Sequence, residues 1–262
     1  MTHSEPSARR PAGSAPGHHR AGAEEASGAA GISPEGAHVA RVFDALGMEF
    51  ERAFAERKQA QTDAVEDLSR RLAPGSRVLD VGCATGRPTA EQLCAMGLEV
   101  TGIDVSEVML AHARRQVPRA RFVLADLFGD VPAGLGVYDA VVCLFCFVDL
   151  PELPFVEGLR RLGALTVPGG TLLFAVPESQ GGEEVRFLDR TYRPMRCLRE
   201  DVHRYAQLAG LDVERVEART EVPSRGQAAA ERSLFLWART PSPLPRTPSP
   251  DSGGVDGRSP MP

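Results

Sequence analysis

The chain has 262 residues, is 42% hydrophobic and 25% charged, and carries a formal net charge of −5. That balance argues against general nucleic-acid binding, which leaves a basic footprint, and no apolar run approaches the ~18 residues of a membrane span. Every Phe, Tyr and Trp lies between Phe43 and Trp237, whereas more than half of the 21 prolines fall outside that window.

Segments without aromatics and rich in Pro, Gly, Ser and Ala cannot bury enough apolar surface to offset chain entropy. The expected organisation is a disordered tail over 1–37, one domain over 38–240 and a disordered Pro/Ser-rich tail over 241–262. The N-terminus lacks the apolar core of a signal peptide, and nothing apolar follows the twin Arg9-Arg10. With no export signal, the five cysteines read as reduced thiols, and the expected location is cytoplasmic.

From His38 the pattern is helical. Val39, Val42, Phe43 and Leu46, then Phe50 and Phe54, then Val65, Leu68 and Leu72 recur at three- and four-residue spacing. Gly47 is expected to split the run. The segment reads as an N-terminal helical lid, either simply packed on the domain or with Met48, Phe50 and Phe54 also closing over a bound ligand. Strands are expected over 77–81, 99–103, 121–124, 138–144, 171–176, 211–220 and 233–240. Helices are expected over 88–96, 107–116, 152–165 and 200–209. Pro168-Gly169-Gly170 reads as a turn, and Ser106 as an N-cap. The segments 186–199 and 221–231 show no clear period. Alternating strands and helices point to an α/β fold with a mainly parallel sheet. The last two strands lack a helix between them, so one of them is expected to run antiparallel.

The chain is organised around Val78-Leu79-Asp80-Val81-Gly82-Cys83-Ala84-Thr85-Gly86. An apolar strand ends at an acid, and a small-residue loop follows. Gly82 and Gly86 let a ligand lie against backbone and can take positive φ. In open α/β sheets ligands bind beyond the carboxyl ends of the strands. Three acids stand at that edge: Asp80, Asp104 and Asp126. Asp104 follows the loop by about twenty residues, the spacing at which an acid reaches ribose hydroxyls. Asp126 is placed to accept from a base amine, and Asp80 to face an ammonium or to orient the loop amides. No Walker lysine follows the loop. A dinucleotide fingerprint would need glycines at 82, 84 and 87, where the chain has Gly82, Ala84 and Arg87. The pattern fits a nucleoside that carries a cationic group.

Asp80-Val81-Gly82-Cys83-Ala84-Thr85-Gly86 resembles motif I of the class I S-adenosylmethionine-dependent methyltransferases, with Ala84 where the middle glycine is usual. Thr101–Ser106 with Met109-Leu110 is similar to that family's ribose-binding turn, and Ala125-Asp126-Leu127 to its adenine-contacting turn. Tyr138–Val142 and Pro168–Leu172 are similar to its later strands. The resemblance implies a Rossmann-like seven-stranded sheet, helices on both faces, a reversed last strand and S-adenosyl-L-methionine as methyl donor. On it, Asp80, Gly82, Cys83, Ala84, Gly86, Asp104, Val105, Asp126 and Leu127 are the expected donor-binding residues; Phe145, after strand four, is a further donor-binding candidate that either stacks near the adenine or simply fills the sheet edge.

Methyl transfer from a sulfonium needs alignment and water exclusion more than acid–base chemistry. After strand four the chain reads Leu144–Pro151 and lacks the Asn/Asp-Pro-Pro-Tyr/Phe tetrad of relatives that act on nucleic acids or proteins. A small-molecule acceptor is therefore expected, with no nucleic-acid or membrane partner. Weak catalytic candidates are Asp149, which also reads as a helix cap, and Tyr192. Phe50, Arg190 and Arg193 are the candidate acceptor contacts, within the run Arg186, Arg190, Arg193, Arg196 and Arg199. That run reads either as a solvated face or as a clamp for an acidic or phenolic acceptor. Cys143 and Cys146 form a C-x-x-C at the end of a buried strand and read as core cysteines. His203 is alone, and no metal site is expected. Two other readings are a nicotinamide-dependent oxidoreductase, which the glycine spacing and Asp126 oppose, and a non-catalytic S-adenosylmethionine-binding protein.

Overall fold

Three helices precede the sheet: α1 (Pro34–Leu46), α2 (Met48–Ala53) and α3 (Gln59–Ser69). The structure is a computed structural model and describes residues 31–53, 59–147, 150–182, 184–187, 190–221 and 231–242. α1 begins before His38 because the chain supplies a complete start signal. The Ser33 side chain accepts from Gly36 N, and Pro34 stands where no N–H is required. Residues 31–37, assigned to the tail on composition, thus belong to the folded unit. Residues 1–30 and 243–262 lie outside the described residues, as does Phe54. Gly47 ends α1 at φ 49, where its N–H donates to Phe43 O.

Strands and helices then alternate: β1 (Arg77–Val81), α4 (Thr89–Ala95), β2 (Glu99–Asp104), α5 (Glu107–Gln116), β3 (Arg121–Leu124), β4 (Tyr138–Leu144), α6 (Glu152–Ala164) and β5 (Thr166–Pro177). After β5 come β6 (Val185–Phe187), β7 (Arg190–Tyr192), α7 (Arg199–Leu208), β8 (Asp212–Glu221) and β9 (Glu231–Arg239). Seven strands form one sheet in the order β3-β2-β1-β4-β5-β9-β8, and β9 runs antiparallel to both neighbours. The reversed last strand matches the expectation. β6 and β7 form a separate antiparallel hairpin within the segment that showed no period.

β5 starts before Thr171 because Thr166 already pairs with Tyr138. The register then shifts between Tyr138 and Ala140, so Pro168-Gly169-Gly170 forms an irregularity inside the strand instead of a turn before it. The bare φ 75 of Gly169 is the conformation this irregularity requires.

The sheet lies between two helix layers. On one face Phe155, Leu159 and Leu162 of α6 with Val202 and Tyr205 of α7 pack on Leu79, Val141 and Phe174. On the other, Val65 and Leu68 of α3, Leu93 of α4 and Leu110 of α5 pack on Val78, Val142 and Trp237. Burial on both faces explains the near-continuous apolar runs of β4 and β5. Chain order reverses between β1 and β4, so the crevice at the switch point opens beside Asp80. No helix among the described residues is long and apolar enough to cross a membrane.

Candidate functional site

β1, β2 and β3 run in parallel register, so their carboxyl ends share one edge of the sheet. Asp80 lies on β1 opposite Gly102, Asp104 ends β2 opposite Leu124, and Asp126 follows β3. The structure therefore places the three acids at adjacent strand ends.

The loop after β1 turns through positive φ three times, at Gly82 (69°), Ala84 (46°) and Gly86 (78°). The amides of Gly82 and Cys83 both donate to Ile103 O, at 2.8 and 3.1 Å. Ala84 N donates to Asp104 Oδ2 at 2.9 Å, and Ser106 N to Asp104 Oδ1 at 2.9 Å. Thus Asp104, and not Asp80, holds a loop amide. A Cβ at Gly82 would collide with Cys146 Sγ, which itself donates to Val81 O at 3.1 Å. Cys143 is fully buried, as expected of a core thiol, whereas Cys146 is only partly buried and backs the loop. All five cysteines are free thiols.

Burial, with the neighbouring Asp104 second, pushes the Asp80 carboxyl up to about 7. Its Oδ2 is buried and finds no hydrogen-bond partner. An orphaned buried carboxylate oxygen is costly, so this atom calls for an outside donor; Thr85 Oγ1 of the same loop is likewise buried without a partner. Burial also raises the Asp104 carboxyl, against the hydrogen bonds from Ser106, Ala84 and Val105 that lower it. Cys83 is buried beside both acids, and its thiol is held well above its usual value by burial, then by Asp80 and Asp104. Val105, next to Asp104, is partly exposed.

Asp126 is 3% exposed and already engaged. Its Oδ2 accepts from Ser33 N at 2.9 Å and Ser33 Oγ at 2.5 Å, and its Oδ1 from Phe128 N at 2.8 Å. A carboxylate offers about four acceptor positions, which leaves one for a ligand amine. The Leu127 side chain is buried in the α6–α7 core, and its carbonyl accepts from Arg161 at 3.0 Å, so a donor contact there would be made by its backbone N–H. Phe145 follows β4 at φ 63, a rare conformation for a bulky residue. Its amide donates to Ala175 O, and its ring packs edge-on against Phe235 at 6.0 Å. The ring thus closes the sheet edge on the α3–α5 side.

The helical segment reaches the same edge. Phe50 of α2 packs edge-to-face on Phe43 of α1 at 5.3 Å. Gln116 Nε2 donates both to Glu51 Oε2 at 2.9 Å and to Thr85 O of the loop at 3.2 Å. Ser106 caps α5 as expected, accepting from Met109 N, and also donates to Asp44 Oδ1 of α1 at 2.5 Å. Ser33, Asp44, Gln116 and Cys146 were not among the expected site residues. Ser33 carried a legible signal as a Ser-Pro helix start, but its partner Asp126 is ninety-three positions away.

The arginine run divides. Arg196 grips the start of α7 through Asp201 at 2.6 Å and Glu200 at 2.9 Å, so it is structural. Arg193 and Arg199 are exposed. Arg190 and Tyr192 form part of β7, which follows the end of β5 nearest the acids; their side chains, and Asp149, lie outside the described residues. His203 is exposed on α7.

A family model described as a methyltransferase domain matches residues 78–170. The chain is 38% identical over 123 residues to trans-aconitate 2-methyltransferase of Delftia acidovorans, covering 45% of this chain and 44% of that protein. It is 32% identical over 150 residues to demethylmenaquinone methyltransferase of Corynebacterium urealyticum, covering 56% and 62%. The chain spans about half the length of the curated relatives it matches. Among solved structures it resembles magnesium protoporphyrin IX methyltransferase from Synechocystis with bound S-adenosylhomocysteine. The TM-score is 0.61 at 18% identity, over 79% of this chain and 99% of that one. It also resembles the [4+2]-cyclase SpnF, with a TM-score of 0.63 at 20% identity, over 81% and 99%. At these identities the structural likeness speaks for the fold alone. Motif residues, family match and sheet topology agree: residues 78–170 are a methyltransferase domain of the class I, S-adenosylmethionine-dependent type.

Proposed function

We propose that the protein is a cytoplasmic methyltransferase that uses S-adenosyl-L-methionine and methylates an oxygen or nitrogen of a small-molecule acceptor. The observation that carries this reading is the buried, unpartnered Asp80 Oδ2 beside a loop of three positive-φ residues. The residues fit the donor's chemistry. Asp80 would take the ammonium, Asp104 the ribose hydroxyls, and Asp126 the base amine at its remaining acceptor position. Gly82 to Gly86 would let the donor lie against backbone. When bound, the donor supplies a methyl group already activated on a sulfonium. The chain's own task is then to orient the acceptor and keep water out, which costs no proton transfer when the acceptor is ionised.

The relatives' names and the basic residues of the hairpin segment support the acceptor class. The relatives' names include a tricarboxylate, trans-aconitate, a quinone, demethylmenaquinone, and an O-methyltransferase of ubiquinone biosynthesis. Arg190, Arg193 and Tyr192 on or beside β7, with Phe50 on α2, would hold an acidic or phenolic acceptor.

Titration with S-adenosylhomocysteine and with NADH tests the donor. Binding of the first alone is expected; binding of NADH alone overturns the reading in favour of an oxidoreductase. Because the fold also includes a cyclase, catalysis is tested separately with a pool of carboxylate and phenol metabolites. A product heavier by one CH2 unit is expected, and a bound donor that never yields one overturns methyl transfer. With an acceptor in hand, Arg190→Ala and Arg193→Ala are expected to raise its KM, and an unchanged KM removes the clamp.

A further inference from the structure

The acids that read as donor contacts lie on β1, β2 and the turn after β3, yet the hydrogen bonds around Asp104 do not stop at the sheet. Asp104 Oδ2 holds the loop through Ala84 N, and Asp104 Oδ1 holds the start of α5 through Ser106 N. The Ser106 side chain is fully buried and has two bonds of its own. It accepts from Met109 N at 3.1 Å, and its single proton goes to Asp44 Oδ1 on α1 at 2.5 Å. An unbroken line of hydrogen bonds therefore runs from Asp44 through Ser106 and Asp104 to Ala84. It links the first helix to the donor loop across sixty-two positions of sequence at its first step.

We propose that Asp44 is a positioning residue for donor binding: by accepting from Ser106 it fixes the β2–α5 turn and with it the orientation of Asp104. This inference rests on the donor reading given above. A buried hydroxyl without an acceptor is costly, so removing Asp44 forces the Ser106 proton to seek another partner or the turn to move. The turn carries Asp104, whose remaining acceptor positions must face the ribose to be of use. Lastly, Asp44 does this by accepting a hydrogen bond and not by its charge. Facing Asp104 are the carboxylates of Asp80 and Asp44 and the Cys83 thiol. The Asp44 charge is a like charge that works against ionisation of Asp104.

Asp44→Asn keeps the Oδ1 acceptor and removes the like charge, whereas Asp44→Ala removes both. The test is titration of the full chain with S-adenosylhomocysteine. Asp44→Ala is expected to weaken binding about tenfold, the worth of one buried hydrogen bond. Asp44→Asn is expected to bind as well as the wild type or better and to melt close to it, whereas Asp44→Ala is expected to melt a few degrees lower. Wild-type affinity in Asp44→Ala overturns the proposal. So does an Asp44→Asn variant as weak as Asp44→Ala, since the charge or the helix would then be what matters. If the wild-type chain itself fails to bind S-adenosylhomocysteine, the donor reading falls and this inference falls with it.

Discussion

The Ser33 hydroxyl donates to Asp126 Oδ2 at 2.5 Å, and the Ser33 amide donates to the same oxygen at 2.9 Å. The same hydroxyl accepts from Gly36 N at 3.0 Å, so one side chain both caps α1 and ties it to the strand edge. The buried Asp126 carboxylate sits at the positive end of that helix, where a negative charge is stabilised. A Cβ at Gly36 would collide with Asp126, which makes the close approach depend on glycine. Ser33→Ala is expected to cost α1 about 1–2 kcal/mol. Hydrogen exchange of amides 37–46 should accelerate about tenfold, and Ser33→Thr, which keeps the hydroxyl, should restore protection. Equal exchange in Ser33→Ala and wild type would mean that the tie to Asp126 contributes nothing to α1.

Ala84 occupies the left-handed region at φ 46, where an L side chain is strained. Its amide, not its methyl group, makes the contact to Asp104. Ala84→Gly should therefore leave S-adenosylhomocysteine affinity within about twofold. It should raise stability in urea by up to about 1 kcal/mol, because relief of strain outweighs the added freedom of the unfolded chain. Asp104→Ala removes the acceptor for two amides and should abolish binding. If Asp104→Ala binds normally, the site lies elsewhere.

How much of this was legible differs by element. The loop, the three acids and the order of β1 to β5 follow from local signals, since apolar runs ending at acids and glycines mark strand ends without reference to the rest of the chain. The start of β5 did not, because Pro168-Gly169-Gly170 carries turn chemistry and only the pairing of Thr166 with Tyr138 turns it into an irregular strand. Arg196 looked like its neighbours in the arginine run, but its pairing with Asp201 is an i,i+5 contact across a helix start that the run conceals. Leu127 sits beside Asp126 in sequence, yet its side chain is in the core. Asp44–Ser106 and Ser33–Asp126 are long-range pairs between polar residues, and no periodicity announces them.

Gly82 and Cys146 are complementary. The glycine has φ 69, and any Cβ on it would strike the Cys146 sulfur. Gly82→Ala should thus be destabilising through two separable terms: about 1–2 kcal/mol of backbone strain and the collision. Cys146→Ala removes the sulfur and leaves the strain. In urea melts, the double variant should be more stable than the sum of the single effects predicts, by about 1 kcal/mol or more. Strict additivity would show that the loop moves aside and that Cys146 does not hold it.

The Asp80 carboxyl is pushed from 3.8 up to about 7 by burial and by Asp104. The folded chain therefore keeps a proton that the unfolded chain loses between about pH 4 and 7. The stability this contributes is full below the unfolded value and is lost as pH rises through about 7. Asp80→Asn, neutral throughout, should gain stability over the wild type above that point and not below it. Donor binding has the opposite preference, because an ammonium pairs with the ionised form. S-adenosylhomocysteine should bind more tightly as pH rises to about 7, by up to tenfold per unit, and then level off. Below about 7 each binding event should release a proton, visible as a binding heat that depends on the ionisation enthalpy of the buffer. Asp80→Asn should bind weakly and show neither dependence. A wild-type affinity that stays flat from about pH 5.5 to 8 would mean that the unpartnered oxygen of Asp80 does not meet the ammonium.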